Sequence, residues 1–216
     1  MSQPIIDVTG KGTSSGTTFS WTHTVGGGLL NSIILASVGG DIAGSISSMT
    51  YAGTAMTKIA GTVAAGGPSD CEIWYLLKPP SGLGTFHGTI AGATSQETDA
   101  FSVSYQNVNQ ITPILGSVIA AGTATSGSIT RALTGGGNSI FFGATSIDNT
   151  AGTTATGSQL GTESAGNGNL LVADLNTGTI NWTYAGNTVN FANIGVELYG
   201  IAAGTGYISL LGVGQI

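Results

Sequence analysis

The chain has 216 residues, 41% of them hydrophobic and only 6% Asp, Glu, Lys or Arg, where an average globular domain carries roughly 25% charged residues. Four cations, Lys11, Lys58, Lys78 and Arg131, stand against ten acids for a net charge of −6, so there is no basic face to neutralise phosphates and nucleic acid is not an expected partner. The single Cys71 excludes an intrachain disulfide and any zinc site built on several thiolates.

A solitary domain normally covers itself with mixed charge, which limits self-association and edge-to-edge strand pairing. Ser, Thr, Asn and Gly hydrate a surface without charge, but weak self-repulsion points toward faces covered by neighbouring subunits. A homo-oligomer is the expectation.

The opening Met1-Ser2-Gln3-Pro4-Ile5-Ile6-Asp7 has no basic segment followed by an apolar one, so no secretory signal is read there. Helical periodicity is nearly absent along the whole chain. Thr18 to Val25 alternates strictly, placing Phe19, Trp21, His23 and Val25 on one strand face and Thr and Ser on the other. Further strand-like runs follow at Ser32 to Val38, Ile46 to Tyr51, Ala55 to Ile59, Cys71 to Leu77, Thr85 to Ala91 and Ala100 to Tyr105. The series continues at Ser139 to Ile147, Leu170 to Leu175, Thr179 to Tyr184 and Ala192 to Tyr199, with Gly, Ser, Asn and Pro clusters between runs supplying turn geometry.

Ala52-Gly53 predicts a two-residue hairpin, since such turns need positive φ. Pro79-Pro80-Ser81-Gly82 predicts a sharp corner, because proline donates nothing to a ladder. Gly122 to Gly127 reads as a loop and Asn149 to Gly168 as a long surface excursion, both poor in large apolar residues. From Leu198 to Ile216 the chain is uncharged, but Gly200, Gly204, Thr205, Gly206, Ser209, Gly212, Gly214 and Gln215 interrupt it and argue against a membrane span. One internal echo stands out. Gly26-Gly27-Gly28 followed by Asn31-Ser32-Ile33-Ile34 resembles Gly135-Gly136-Gly137 followed by Asn138-Ser139-Ile140-Phe141. It is too short to establish a tandem repeat, although pseudo-equivalent strands in two halves of a sandwich would produce it.

Several segments together resemble a β-sandwich module that recurs in phage virion structural proteins and bacterial surface proteins. They are Trp21-Thr22-His23, Met49 to Lys58, Glu72 to Gly82, Val103 to Val108 with Thr112-Pro113-Ile114, and Ile194 to Leu198. The resemblance spans about Thr17 to Tyr199 and implies a binding or structural module without a catalytic site. Lacking a visible signal sequence, the chain sits closer to the virion branch.

Candidate chemistry is sparse. His23 and His87 belong to no ligand spacing, and no G-x-S-x-G nucleophile elbow occurs. The acid pairs Glu97/Asp99 and Asp70/Glu72 share strand faces, as paired glycosidase carboxylates must, but they adjoin loops where solvated acids are routine. Asp41, Asp148 and Asp174 are the loop acids to consider for calcium, without a recognised calcium motif. The glycine triplets lack the Lys-Ser/Thr ending and helix of a phosphate loop. Trp21, Trp74, Trp182, Tyr75 and Tyr184 are candidates for sugar stacking, with core packing the better reading for Trp21 and Trp74.

The sequence therefore predicts an all-β, antiparallel jelly-roll-like β-sandwich, a single domain over residues 1–199 around one core. Residues 200–216 are a C-terminal apolar extension or final strand, with Ile201, Tyr207, Ile208, Leu210, Leu211 and Val213 as inter-subunit contacts. The expected function is a phage virion structural protein, as capsid decoration, cement or head-fibre subunit. It would be made in the host cytoplasm, carry no cofactor and no catalytic role, and partner with itself and other virion proteins. The alternative is a receptor- or glycan-binding module of a tail or fibre tip, using the 149–168 excursion.

Overall fold

The computed structural model describes residues 2–41, 45–63, 69–91, 97–148, 153–163, 169–184 and 188–201. The first half of the chain forms β1 (Ile5–Ser15), β2 (Thr18–Val25), β3 (Ile33–Asp41), β4 (Ile46–Tyr51), β5 (Thr54–Ala55), β6 (Thr57–Val63), β7 (Ser69–Leu77), β8 (Gly82–Ile90) and β9 (Glu97–Gln106). The second half forms β10 (Ile114–Ala124), β11 (Ser126–Thr130), β12 (Ser139–Ile147), β13 (Thr153–Ala155), β14 (Ser158–Glu163), β15 (Asn169–Leu175), β16 (Thr179–Tyr184) and β17 (Val189–Tyr199). The only helical element among the described residues is a 3₁₀ turn at Gly136–Asn138. No described helix is long and apolar enough to cross a membrane.

The strands pair in a nested order. In the first half β1 pairs with β9, β2 with β8, β3 with β7 and β4 with β5, giving an inner sheet β1-β9-β3-β7-β6 and an outer sheet β2-β8-β4-β5. A ribbon of antiparallel strands wrapped in this way is a jelly roll. The second half repeats the scheme, with β10 on β17, β11 on β16 and β12 on β15, as an inner sheet β10-β17-β12-β15-β14 and an outer sheet β11-β16-β13. The all-β antiparallel sandwich expected from the sequence is thus present, built twice over.

The two inner sheets lie against each other, so the molecule is four sheets deep. Their contacts obey a pseudo-two-fold relation: β6 faces β10 and β17 as β14 faces β1 and β9, while β7 faces β12 and β17 as β15 faces β3 and β9. The echo in the sequence marks this duplication, since Asn31-Ser32-Ile33 and Asn138-Ser139-Ile140 lead into β3 and β12. The Val108 N–H donates to the Asn31 carbonyl (2.9 Å), and the Gly200 N–H to that of Asn138 (2.8 Å). Val108 and Gly200, each just past the last strand of its half, also bridge one another.

Three apolar layers replace the one core anticipated. Phe19, Trp21, Tyr51, Phe86 and Trp74 fill the first sandwich, where Trp21 stacks on Phe86 with centroids 4.2 Å apart. Phe141, Ile180, Trp182 and Tyr184 fill the second. Between the inner sheets Ile33, Leu35, Val103 and Tyr105 meet Phe142, Val172, Ile194 and Val196. Each such side chain contributes about 1.5–3 kcal/mol by leaving water.

This arrangement accounts for the strand patterns. Inner strands are covered on both faces, so all nine residues of β12 are buried, whereas β2 alternates exposed and buried with a Thr/Ser outer face. It also corrects two readings. Gly122 to Gly127 is not a loop, because β10 runs into β11 with only Thr125 between them. The excursion from Asn149 to Gly168 contains β13 and β14. Both segments supply edge strands, which need few large apolar residues: on β14, Leu160 packs into the middle core while Ser158 and Gln159 stay exposed.

Candidate functional site

Among the described residues, one buried group looks like hydrolase chemistry. His23 on β2 lies 2% exposed. Its Nδ1 is 2.9 Å from the Ser102 Oγ and its Nε2 3.1 Å from the Ser104 Oγ, both serines on β9. Ser104 donates to the Asp7 Oδ2 (2.8 Å), and Trp21 Nε1 donates to Ser102 (3.0 Å). Asp7 also accepts the Gly26 N–H (2.8 Å). The carboxylate thus orients a serine and not the imidazole, and both serines are fully buried. Burial depresses the His23 pKa to about 4 against the pull of Asp7, leaving a neutral ring that ties β1, β2 and β9 together.

The Asp70/Glu72 pair is equally enclosed. Glu72 is 1% exposed, accepting the Ile46 N–H, the Trp74 indole N–H and the Lys58 ammonium at 2.6 Å. Asp70 beside it is pushed up to about 7 by burial and by the Glu72 charge. Asp99 is buried and Glu97 half-buried at the start of β9. Of the proposed calcium acids, Asp148 accepts the backbone N–H and side-chain amide of Asn190 (2.9 and 2.6 Å), and Asp174 accepts the Tyr105 hydroxyl (3.1 Å). The side chain of Asp41 lies outside the described set. No group of three His, Cys, Asp or Glu among the described residues is placed to hold a metal.

Trp21, Trp74, Trp182 and Tyr184 are buried core residues, Tyr75 packs half-buried against the middle core, and Cys71 is fully buried between the inner sheets. His87 is exposed on the outer face of β8. Of the expected inter-subunit residues, Ile201 donates its N–H to the Asn107 carbonyl (3.0 Å) and accepts from the Ser2 N–H (3.2 Å) within the same chain. Tyr207, Ile208, Leu210, Leu211 and Val213 lie outside the described residues.

What the sequence did not locate is a matched pair of open clefts. One, of about 360 Å³, lies between the β2–β3 and β7–β8 loops and is lined by Gly26, Gly28, Leu30, Asn31, Lys78 and Pro79. The other, of about 460 Å³, lies between the corresponding β11–β12 and β15–β16 loops and is lined by Arg131, Leu133, Gly136, Gly137, Asn176 and Gly178. The two glycine triplets therefore occupy equivalent places. A side chain at Gly28 or Gly136 would meet no neighbour, and both have positive φ (73° and 56°), so the loop backbone stays open to solvent. Each cleft carries one of the four cations of the chain. Arg131 is held by the buried Glu197 carboxylate (3.2 Å) and the Leu115 carbonyl (2.9 Å). Burial pushes the Glu197 pKa up, but hydrogen bonds from the Gly135 N–H, Thr134 and Arg131 outweigh it and leave the group below its ordinary value. The echo was the signal for these clefts; their cations come from elsewhere in the chain.

Comparison with protein-family models, with curated proteins and with solved structures gives no match for this chain.

Proposed function

We propose that the chain is a structural subunit of a phage virion, a capsid decoration, cement or head-fibre protein that acts by packing against copies of itself and other virion proteins. The observation that carries the reading is the form of the surface. The outer faces of both jelly rolls are mostly hydroxyl and carry no Asp, Glu, Lys or Arg at their paired positions, with Thr18/Thr89, Ser20/His87 and Thr22/Thr85 across one and Ser126/Thr183, Ser128/Asn181 and Thr130/Thr179 across the other. Between them the candidate acids Asp70, Glu72 and Asp99 and the His23 set are buried, which suits a rigid brick and not a turnover site. Jelly rolls are a common capsid architecture, an analogy of fold that supports the reading alongside the segment resemblance. Electron microscopy of purified particles with an antibody against the chain tests it: regular label on every particle is expected, and label confined to unassembled protein would overturn it.

The paired clefts favour one second reading, a receptor- or glycan-binding module. Open loop backbone suits a polar ligand, and in the cleft of the β2–β3 and β7–β8 loops Lys78 suits an acid-bearing one such as an anionic sugar, the Arg131 charge of the other cleft being already met by Glu197. A glycan array read with the native protein and with Lys78→Glu discriminates: binding that the substitution abolishes moves this reading to first place.

A further inference from the structure

The two inner sheets end on four edges, β1, β6, β10 and β14, and an exposed edge normally carries some device against pairing with another chain: charge, a bulge, proline or a covering element. β1 carries Asp7 and Lys11 and a register shift between Ile6 and Thr9, and it lies against β2, where a side chain at Gly12 would run into Trp21. β6 carries Lys58 and a shift between Lys58 and Ala60. β14 is six residues long, with a shift between Gln159 and Gly161 and an acid at Glu163.

β10 departs from this pattern beyond its first residues. Its eleven residues, Ile-Leu-Gly-Ser-Val-Ile-Ala-Ala-Gly-Thr-Ala, contain no charge and no proline. Its one register shift lies at its start, between Ile114 and Gly116, where the Arg131 guanidinium donates to the Leu115 carbonyl (2.9 Å); from Gly116 to Ala124 its register with β17 is unbroken, and no other strand pairs with it among the described residues. Ser117, Ile119, Ala121 and Thr123 are exposed on one face, with Ile119 at 53%. An edge strand presents alternate N–H and C=O groups outward along its length.

Resting on the assembly reading, we infer that β10 is the subunit contact: two copies pair β10 to β10, antiparallel across a two-fold axis at Ala120, and join their inner sheets into one ten-stranded sheet. The occupant is a second copy because the strand is complementary to itself. Centred on Ala120, the pairing sets Ile119 opposite Ala121 of the partner subunit, Val118 opposite Gly122 of the partner subunit, and Ser117 opposite Thr123 of the partner subunit. Large meets small at the axis, hydroxyl meets hydroxyl beyond it, and no like charges face each other. The matching position on β1 is Lys11, since Lys11 lies opposite Phe101 as Ile119 lies opposite Ile194; the duplication therefore leaves one inner edge guarded and the other open.

Sedimentation velocity on the full chain over a range of concentrations tests this. The unsubstituted protein is expected to sediment as a dimer or a multiple of it. Ile119→Lys, at a half-exposed site, brings two cations near the axis and is expected to weaken the association at least tenfold with unchanged near-UV dichroism, the melting temperature losing only its dependence on concentration. Thr13→Lys on β1 leaves it unaltered. If Ile119→Lys assembles as the unsubstituted chain does, the β10 contact is wrong while the assembly reading stands. A monomer at every concentration overturns both. If Leu211→Lys dissociates the assembly as fully as Ile119→Lys, the edge receives the neighbour's C-terminal segment and the β10-to-β10 pairing is overturned.

Discussion

His23 and Asp70 are buried groups whose proton affinities move in opposite directions, so the acid response of this protein separates into two opposed parts. His23 is held at about 4, below its ordinary 6.5. Its contribution is complete above pH 6.5 and is lost as pH falls toward 4, because the unfolded chain takes up the proton first; the limit is about 3 kcal/mol. Asp70 is raised to about 7 from 3.8, so the folded state keeps a proton that the unfolded state has lost, and stability falls as pH rises from 3.8 to 7. We predict that His23→Gln is less acid-sensitive than the native chain between pH 6.5 and 4 in urea melts. Asp70→Asn is predicted to be more stable than the native chain at pH 8 and to lose that advantage at pH 4. Glycines impose the tightest residue-level constraint. A Cβ at Gly88 would fall within the Phe19 ring and one at Gly195 within the Phe141 ring. Gly88→Ala and Gly195→Ala should each cost about 1–3 kcal/mol by overpacking, with Gly137→Ala, which meets no neighbour, close to neutral as a control in the same thermal melts.

Among the elements, the β4–β5 hairpin shows how closely local sequence can set geometry. Ala52 and Gly53 both have positive φ (48° and 79°), and Thr50 pairs Ala55 while Tyr51 pairs Thr54 across them. The left-handed conformation costs alanine about 1 kcal/mol and suits asparagine, so Ala52→Asn should raise the melting temperature by a few degrees in calorimetry. Strands with a clear apolar period were legible in the same way: Thr18 to Val25, Ile46 to Tyr51, Ser139 to Ile147 and Thr179 to Tyr184 have the bounds that their patterns predict. β1, β10, β11, β13 and β14 were not, since these edge strands, rich in Gly, Ser, Thr and Ala with only scattered Ile, Leu and Val, show little amphipathic contrast against the loops around them. The clefts were half legible. Both glycine triplets stood out, but Lys78 enters its cleft only because β7 folds back beside β3, a long-range pairing that no local pattern records.

At the scale of the molecule, the middle core binds the two jelly rolls into one unit. Without the other, each inner sheet would expose the face that now builds the middle core, so the halves should unfold together. Calorimetry is predicted to show one transition with equal calorimetric and van't Hoff enthalpies, and Phe142→Ala, which empties part of that shared layer, should lower it as a single peak by about 3–5 kcal/mol of stability. Two resolved transitions would mean that the layer is an interface between independent domains. A stiff double sandwich, uncharged on its outer faces and open along β10, is suited to repetition in an assembly. The most direct measurement of that claim is the copy number of the chain in purified particles by quantitative mass spectrometry. The proposed virion role predicts many copies in a fixed ratio to the major shell protein; absence from the particles, with the chain recovered only in the soluble fraction, would contradict it.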